Sequence, residues 1–260
     1  MKIQTETLCI VYYQEFKINL NIMNIKDIIV KPIKSQVAME FVKKHHYSGR
    51  VVSNSQLHFG CFYENVLGGV MSFGPSMDKS KIQGLVKNTT WNGFIELNRM
   101  AFADWLPKNS ESRCISVAMK LIKKHYPHIK WVISFADACQ CGDGTIYRAS
   151  GFALTGYSSG SMWRLPINLI NINGGEVAHR MKVQDKCSKL SKYILSQTNG
   201  KNLQMSACVE KFGGSLVDGY MFRYIYFIDK ECKKDLTVKE IPFSKIQELN
   251  GKMYKGKPLK

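Results

Sequence analysis

A strand, an amphipathic helix and a second strand follow one another between residues 94 and 137, and this order constrains the fold most strongly. The segment FIELNRMAF (94–102) has the apolar and aromatic content of a strand, and WVISFAD (131–137) is apolar enough for a buried one. Between them, NSESRCISVAMKLIKKHY repeats apolar residues with helical spacing. Because two strands joined by a crossover helix pair in parallel, the sequence predicts one parallel pair.

The segments around this unit predict further strands in a mainly antiparallel arrangement. QLHFGCFY and VLGGVMSFG flank Glu64 and Asn65 and predict a hairpin. Before them, MNIKDIIVKPIKSQ predicts a strand that leads into a helix, which Ser35 can cap and which Gly49 of HHYSG helps to end. After the unit come a short helix (144–150) and the strand-like segments FALTGYSS, SMWRLP and GYMFRYIYFIDK. We therefore expect an α+β fold with a mixed, mostly antiparallel sheet flanked by helices.

Composition divides the chain into three parts. Residues 1–22 look unlike the rest and are predicted to be an N-terminal extension. Residues 23–166 carry the alternation of strands and helices and form the predicted core. Residues 167–260 are predicted to be a C-terminal elaboration that packs on this core and adds at least one strand.

The charge balance favours a polyanionic partner. The 260-residue chain has 37 Lys and Arg against 20 Asp and Glu, a formal net charge of +17 spread along its length. Lys and Arg that neutralise phosphates release condensed counterions, so nucleic acid is the first partner to consider. A merely soluble basic protein from a Lys-rich proteome is the alternative. Hydrophobic residues make up 45%, which is enough for an ordinary core and excludes disorder throughout.

Cysteine usage and hydropathy indicate the compartment. The eight cysteines form no CxxC motif, the chain carries no secretory signal, and no run of 18 apolar residues could span a membrane. A reduced, cytoplasmic protein without a membrane partner is therefore expected. Cys139 and Cys141 lie in the loop of SFADACQCGDGTIYRASGF, where their spacing fits neither a structural zinc site nor a base deaminase. Packing as small hydrophobic residues is the preferred interpretation.

Several short segments resemble acyltransferase-like proteins. IYRASGF and FIELNRMAF, with the order of the predicted elements, resemble the GNAT acyltransferase superfamily. More closely, HHYSG, ELNRMAFAD, LPKNSESR, SFAD and GTIYRASGF, in that order and spacing, resemble the Mom family of phage DNA modification proteins. The resemblance covers residues 23–163, with RYIYFIDK and IPFSK near the C-terminus. It implies a GNAT-like catalytic core over residues 23–166.

The resemblance to the Mom family also implies a function and a set of site residues. The implied reaction converts adenine in double-stranded DNA to N6-carbamoylmethyl (acetamido) adenine, which protects phage DNA from host restriction in the host cytoplasm. Carried over by position, the family's functional residues are His46, Tyr47, Arg99, Ser112, Asp137 and Tyr147. The implied catalytic residues are Asp137, Tyr147, His46 and Tyr47, and the same four are the implied ligands of an iron ion.

The donor-binding segment departs from the wider superfamily. A GNAT protein holds the coenzyme A pyrophosphate in a glycine-containing turn at a helix N-terminus, whereas NSESRCIS contains no glycine. Arg99, Ser110, Ser112 and Arg113 are the predicted donor-binding residues, because the hydroxyls, guanidinium groups and helix amides can still hold an anion. The departure argues against acetyl coenzyme A as donor and leaves the donor unknown.

Each site residue also has a purely structural interpretation. Strict alternation along ELNRMAF would put Arg99 on the same face as the apolar Leu97, which suggests either an ion pair or an anion site. Asp137 can cap the turn that follows its strand, and Tyr147 can pack in the core. His46 and Tyr47 can satisfy the last carbonyls of their helix.

Three functional classes remain open at the level of sequence. The first is the DNA adenine modification just described, in which the protein flips adenine out of the duplex and Asp137 acts as base or metal ligand with Tyr147 as relay or ligand. The second is a conventional N-acetyltransferase acting on a protein or a small amine. The third is a non-catalytic DNA-binding protein. A homodimer is one possible assembly.

Overall fold

The computed structural model describes residues 23–139, 142–159, 162–217, 219–251, 253–254 and 257–258, so the predicted extension over residues 1–22 lies outside the described residues. The strands are β1 (Ile29–Pro32), β2 (Leu57–Tyr63), β3 (Val66–Gly74), β4 (Phe94–Phe102), β5 (Trp131–Asp137), β6 (Ala153–Ser159), β7 (Met162–Arg164), β8 (Val177–His179), β9 (Ser215–Val217), β10 (Tyr220–Phe227), β11 (Met253–Tyr254) and β12 (Lys257–Pro258). The α-helices are α1 (Ser35–His45), α2 (Lys79–Gln83), α3 (Ser110–His125), α4 (Thr145–Ala149), α5 (Ile167–Asn173), α6 (Arg180–Gln184), α7 (Lys189–Gln197), α8 (Met205–Phe212) and α9 (Ser244–Glu248).

A seven-stranded sheet has the order β1-β2-β3-β4-β5-β10-β6. Strands β1 to β4 pair antiparallel in chain order, while residues 94–96 of β4 pair in parallel with residues 131–133 of β5. The α+β class, the hairpin and the parallel pair are thus confirmed. The position of β10 between β5 and β6 does not follow from any local pattern in the sequence.

The turns and helix ends show which local signals were correct. Glu64 and Asn65 both have positive φ, as a two-residue hairpin turn requires. Ser35 is the first residue of α1 and not its cap, because Lys34 occupies the N-cap position without a side-chain hydrogen bond. At α3 the N-cap is Asn109, which is left-handed and also makes no capping hydrogen bond with its side chain.

The described chain divides into two compact units, which are treated separately below. The first consists of described residues within 1–134, 146–153 and 224–239, and the second of those within 135–145, 154–223 and 240–260. The predicted boundary between residues 166 and 167 stays a prediction. No helix of the described residues combines the length and apolarity that crossing a membrane requires.

In the first unit, helices cover the two faces of strands β2 to β4. Ala38 and Val42 of α1 pack on Val70 and Ala101, which are cross-strand partners. On the other face, Cys61 of β2 forms a hydrogen bond with the Cys114 thiol of α3, and this bond together with burial raises the pKa of Cys61. The buried side of α3 also includes Ile115, Ala118, Met119 and Ile122. The strands therefore present one face to each helix.

The second unit has its own hydrophobic core around Trp163. This residue lies on β7, the central strand of a three-stranded sheet with β8 and β9. Its ring is fully buried, and its Nε1–H donates to the carbonyl of Gly213 at 3.0 Å. The buried residues that form this core are Trp163, Leu165, Leu169, Ala178, Val183, Leu190, Ile194, Met205 and Cys208. Most of these residues lie in the predicted C-terminal elaboration, residues 167–260, which therefore contributes to a packed core.

We expect Gly214→Ala to destabilise the second unit far more than Gly174→Ala. Gly214 has φ +87°, and a Cβ there would collide with the carbonyl of Arg164 and lie 2.8 Å from Trp163 Nε1. Left-handed strain and a clash with backbone together should cost about 2–4 kcal/mol. Gly174 has a similar φ of +72° with no atom near the position of a Cβ, so about 1 kcal/mol is expected there.

Urea unfolding of the two purified variants measures this difference, with the wild type as reference. Equal losses of unfolding free energy in the two variants would show that the contact with β7 does not restrict residue 214.

Candidate functional site

His46 lies where α1 ends, and its ring is fixed by the turn that follows. The backbone N–H of His46 donates to the Val42 carbonyl at 2.9 Å, so the main chain and not the side chain caps the helix. Nδ1 of the ring lies 2.8 Å from Ser48 Oγ and accepts the Ser48 backbone N–H at 3.2 Å. Because Nδ1 accepts from a backbone N–H, the neutral ring carries its proton on Nε2.

The electrostatic surroundings keep His46 neutral. Burial of the ring, and secondarily the positive charge of Arg99, lowers the pKa of His46 to about 4. The Tyr47 ring packs against the His46 ring in a tilted arrangement with centroids 4.3 Å apart, while half of the surface of Tyr47 remains exposed. The structure therefore brings His46, Tyr47 and Arg99 into one cluster of the first unit.

Arg99 is held by backbone carbonyl oxygens and not by an acid. Its Nε–H donates to the Arg50 carbonyl at 3.1 Å, and Nη1 donates to the Asn98 carbonyl at 2.7 Å. These two bonds use part of the guanidinium, which has five N–H donors in all. Among the described contacts, Arg99 therefore forms no ion pair with an acid. Some of its N–H groups remain available to a ligand.

A β-bulge in β4 corrects the expected facing of Arg99. Ser72 pairs with Arg99 and its neighbour Phe73 pairs with Leu97, so the register shifts and Asn98 is the extra residue. Since Ser72 and Phe73 point to opposite faces of β3, Leu97 and Arg99 also point to opposite faces. The prediction that they share a face is wrong, because strict alternation holds only in a strand without a bulge.

The same bulge turns Glu96 to the side of Arg99. Gly74 pairs with Glu96, and Gly74 lies on the same face of β3 as Ser72. Burial raises the pKa of Glu96 above its ordinary value, although the neighbouring side chains of Ser76 and Asn98 and the charge of Arg99 act in the opposite direction. Sequence analysis did not select Glu96 as a site residue. The available signal was three polar residues, Glu96, Asn98 and Arg99, inside an otherwise apolar strand.

A buried histidine continues the line of cross-strand partners formed by Arg99 of β4 and Ser72 of β3. His58 of β2 is opposite Ser72, and its Nδ1 lies 2.9 Å from Ser72 Oγ. Burial lowers the pKa of His58, while a hydrogen bond with the Ser55 backbone acts in the opposite direction. Ser55 Oγ in turn donates to Asn98 Oδ1 at 3.1 Å. The residues after Ser48 are therefore tied to β2 and β4 by polar contacts.

At the start of α3 the predicted donor-binding residues make local hydrogen bonds. Ser110 is buried and donates to the Pro107 carbonyl at 2.6 Å, and Ser112 donates to the Asn109 carbonyl at 3.1 Å. The backbone N–H of Arg113 also bonds to Asn109, as the helix requires. An anion site at this helix N-terminus stays a prediction.

Asp137 lies in the second unit, where the structure shows a capping contact. It is buried at the end of β5, and its carboxylate accepts the backbone N–H of Cys139 at 3.1 Å. Cys139 is fully buried against Met162 and Val217, in agreement with packing as a small hydrophobic residue, whereas Cys141 lies outside the described residues. A catalytic role for Asp137 is a proposal.

Tyr147 lies on α4 in the first unit and takes part in aromatic packing. Its ring centroid is 5.3 Å from that of Phe152 and 5.3 Å from that of Tyr224. Phe152 packs in turn on Tyr226. The aromatic ring of Tyr147 therefore packs against other side chains, as the structural interpretation expects. A chemical role for this residue would use its hydroxyl group.

The cluster around His46 does not fit the implied iron site. A metal-binding histidine donates its second ring N–H to an acceptor, whereas Nδ1 of His46 faces the N–H of Ser48. The nearby charge of Arg99 also opposes a bound cation. Within the described ranges, no three His, Cys, Asp or Glu side chains are grouped as metal ligands would be. We therefore derive no step through iron.

The first unit also has a cavity of ≈ 420 Å³ near the C-terminus of α3. Three lysines and two acids line it, so its charge is mixed. The lining residues are Lys123, Pro127, Ile129, Lys130, Ile228, Asp229, Lys230 and Glu231. None of the predicted site residues is among them.

Comparison with known proteins identifies the family. The model of the Mom protein family matches residues 27–245. The chain belongs to the Mom protein family. It is 34% identical over 215 residues to "Methylcarbamoylase mom" of Escherichia phage Mu, which covers 82% of this chain and 81% of that protein. The range that the family model matches, residues 27–245, includes every predicted site residue of this Mom family member.

Solved structures with a similar fold are acetyltransferases of low sequence identity. A Bacillus subtilis acetyltransferase in complex with CoA is 9% identical and has a TM-score of 0.41, with 77% of this chain and 98% of that chain covered. A spermidine/spermine N-acetyltransferase from Vibrio cholerae, also 9% identical with a TM-score of 0.41, covers 81% of this chain and 98% of its own. At these values the likeness supports no argument about function.

We expect Arg99→Gln to raise the pKa of His46 from about 4 while leaving it below 6.5, because burial is the larger cause and remains. Removal of a nearby positive charge makes protonation of the ring easier. NMR titration of the histidine ring protons measures the shift. Arg113→Gln, a change of the same type on α3, serves as control and should leave His46 unaltered. An identical titration of His46 in wild type and Arg99→Gln would contradict the electrostatic contact.

Proposed function

We propose that this protein transfers a carbamoylmethyl group to N6 of adenine in double-stranded DNA and thereby protects phage DNA from host restriction. The observation that carries the proposal is the 34% identity over 215 residues to a protein named methylcarbamoylase. The polar cluster of His46, Arg99 and Glu96 supports it, because half-buried titratable groups with shifted pKa values that lie beside a charged residue are common at functional sites.

Charge supports duplex DNA as the substrate. A net charge of +17 provides sequence-independent affinity for phosphates. Because N6 lies inside a stacked base pair, the enzyme flips the adenine into its site, at a cost of about a few kcal/mol that phosphate contacts offset. The reaction takes place in the cytoplasm of the infected cell.

The chemistry requires a base and a donor-binding group. The N6 nitrogen attacks the methylene carbon of the donor, an N–C bond forms, and the bond from that carbon to the leaving group breaks with its electron pair on the leaving group. The N6 proton passes to a base, for which Asp137 is the candidate with Tyr147 as relay. Arg99 and Ser112 bind the donor, while His46 stays neutral at physiological pH and donates a hydrogen bond from Nε2.

The nature of the transferred group bears on the donor. An acetyl group attaches through its carbonyl carbon, whereas a carbamoylmethyl group attaches through its methylene carbon. Acetyl coenzyme A therefore cannot supply the carbamoylmethyl group by acyl transfer alone, which agrees with the absence of glycine from NSESRCIS. The donor is a carbamoylmethyl compound with a leaving group on its methylene carbon.

Expression of the protein in bacteria, followed by nuclease digestion of the DNA and mass spectrometry of the nucleosides, tests this function. We expect N6-carbamoylmethyl deoxyadenosine with the wild type. Asp137→Asn and Tyr147→Phe should each reduce it by a factor of about 100 or more, as the loss of an acid–base group does. Asp78→Asn and Tyr126→Phe make the same chemical changes at exposed positions and should retain the adduct.

The same experiment separates the other two functional classes. Unchanged DNA together with tight binding of acetyl coenzyme A by the purified protein would favour an N-acetyltransferase. Unchanged DNA that the protein nevertheless retains would favour a non-catalytic DNA-binding protein. If Asp137→Asn and Tyr147→Phe both form the adduct at the wild-type level, these residues do not act as base and relay.

A further inference from the structure

Glu96 and Arg99 are charges of opposite sign on one face of β4. Their pairing with Gly74 and Ser72 places them on the same side of the sheet, on either side of the bulge at Asn98. In a strand without a bulge, residues three apart point to opposite faces. The bulge is thus the reason that a carboxylate and a guanidinium face one space.

The two groups interact through space without forming an ion pair. The charge of Arg99 acts on the Glu96 carboxyl, yet in the described part of the chain the ion pairs do not include these two residues. Arg99 is held by the carbonyls of Arg50 and Asn98, whereas the Ser76 hydroxyl, which lowers the pKa of Glu96, has no hydrogen-bond partner in the described part of the chain. A half-buried carboxylate and guanidinium kept apart in this way leave an acceptor and a donor for a third group.

A primary carboxamide has the matching pattern of donors and acceptors. Its carbonyl oxygen accepts hydrogen bonds and its NH2 group donates two. The remaining N–H groups of Arg99 suit the carbonyl oxygen, and a Glu96 oxygen suits the NH2 group. We infer that Glu96 and Arg99 together bind the carboxamide of the carbamoylmethyl donor and that Glu96 determines specificity for it, an inference that rests on the proposed function.

Selectivity follows from the charge of Glu96. A ligand that ends in a carboxylate would be attracted by Arg99 but repelled by the Glu96 carboxylate, and it offers no N–H to the latter. A carboxamide satisfies both residues at once. Without Glu96, the guanidinium alone would prefer the carboxylate, because charge-assisted bidentate pairing with Arg is the stronger contact. Glu96 therefore rejects carboxymethyl compounds in favour of carbamoylmethyl compounds.

Burial of Glu96 agrees with a role in binding. A carboxyl group removed from water is costly unless it is fully hydrogen-bonded, and burial raises the pKa of this one. The described contacts show no hydrogen bond from the Ser76 hydroxyl to this carboxyl group. A carboxylate has about four lone-pair sites, so capacity remains for the NH2 group of a ligand.

Titration of the purified protein with acetamide and with acetate tests the inference by NMR. The reporter is the Nε–H resonance of Arg99, which is assigned by its loss in Arg99→Gln. We expect the wild type to bind acetamide at least about 10-fold more tightly than acetate, as for one hydrogen bond to a charged group. In Glu96→Gln this preference should disappear or reverse. Glu40→Gln, the same change at an exposed position of α1, should keep the wild-type preference.

Two results would overturn the inference. One is a wild type that binds acetate as tightly as acetamide or binds neither. The other is Glu96→Gln that keeps the preference for acetamide. Glu96→Asp, which retains the carboxylate, gives a second variant if Glu96→Gln does not show the dispersed spectrum of a folded protein, and it should still favour acetamide over acetate.

The DNA digest separates failure of this inference from failure of the proposed function. If the wild type forms the carbamoylmethyl adduct but shows no preference for acetamide, only the role of Glu96 is wrong. If Glu96→Gln binds both probes with altered preference while the wild type forms no adduct, the proposed function is wrong and the carboxamide site remains.

Discussion

The register shift at Asn98 determines which side chains the first unit presents together. Without it, Glu96 would face away from Arg99, and Arg99 would share its face with Leu97. The shift instead places both charged groups on the face that α1 covers at Val70 and Ala101. Because of a single extra residue in β4, this face has charged side chains at one end, while Val70 and Ala101 pack in the core at the other end.

Hydrogen bonds join several groups at the polar end of this face. The Arg50 carbonyl accepts from Arg99, and Ser55 bonds to Asn98, so the residues after α1 provide partners for two residues of β4. These contacts also keep His46 near Arg99, where burial and charge together hold its ring neutral. The hydrogen bonds of Arg99 and the low pKa of His46 therefore depend on the same contacts. Loss of one hydrogen-bond partner would leave a polar group without its bond.

Sequence patterns predicted the elements well and the contacts between them poorly. The hairpin at Glu64 and Asn65, helix α3 and the parallel pairing of β4 with β5 all follow from local periodicity and from the rule for crossover helices. The cap of α1 was less predictable, because Ser35 is a common cap residue that here occupies the first helical position. For the site, the sequence brought out His46 and Arg99 by resemblance but not their proximity, and it did not select Glu96.

The sequence by itself determined the class of fold, the basic surface and membership of the Mom protein family, because periodicity, charge and motif spacing are properties of the linear chain. The tertiary structure alone decided which face Arg99 takes, which residues accept its hydrogen bonds, and that β10 enters the sheet between β5 and β6. The physical reason is that a bulge and a strand insertion are settled by pairing with distant strands, whose hydrogen bonds no local pattern records.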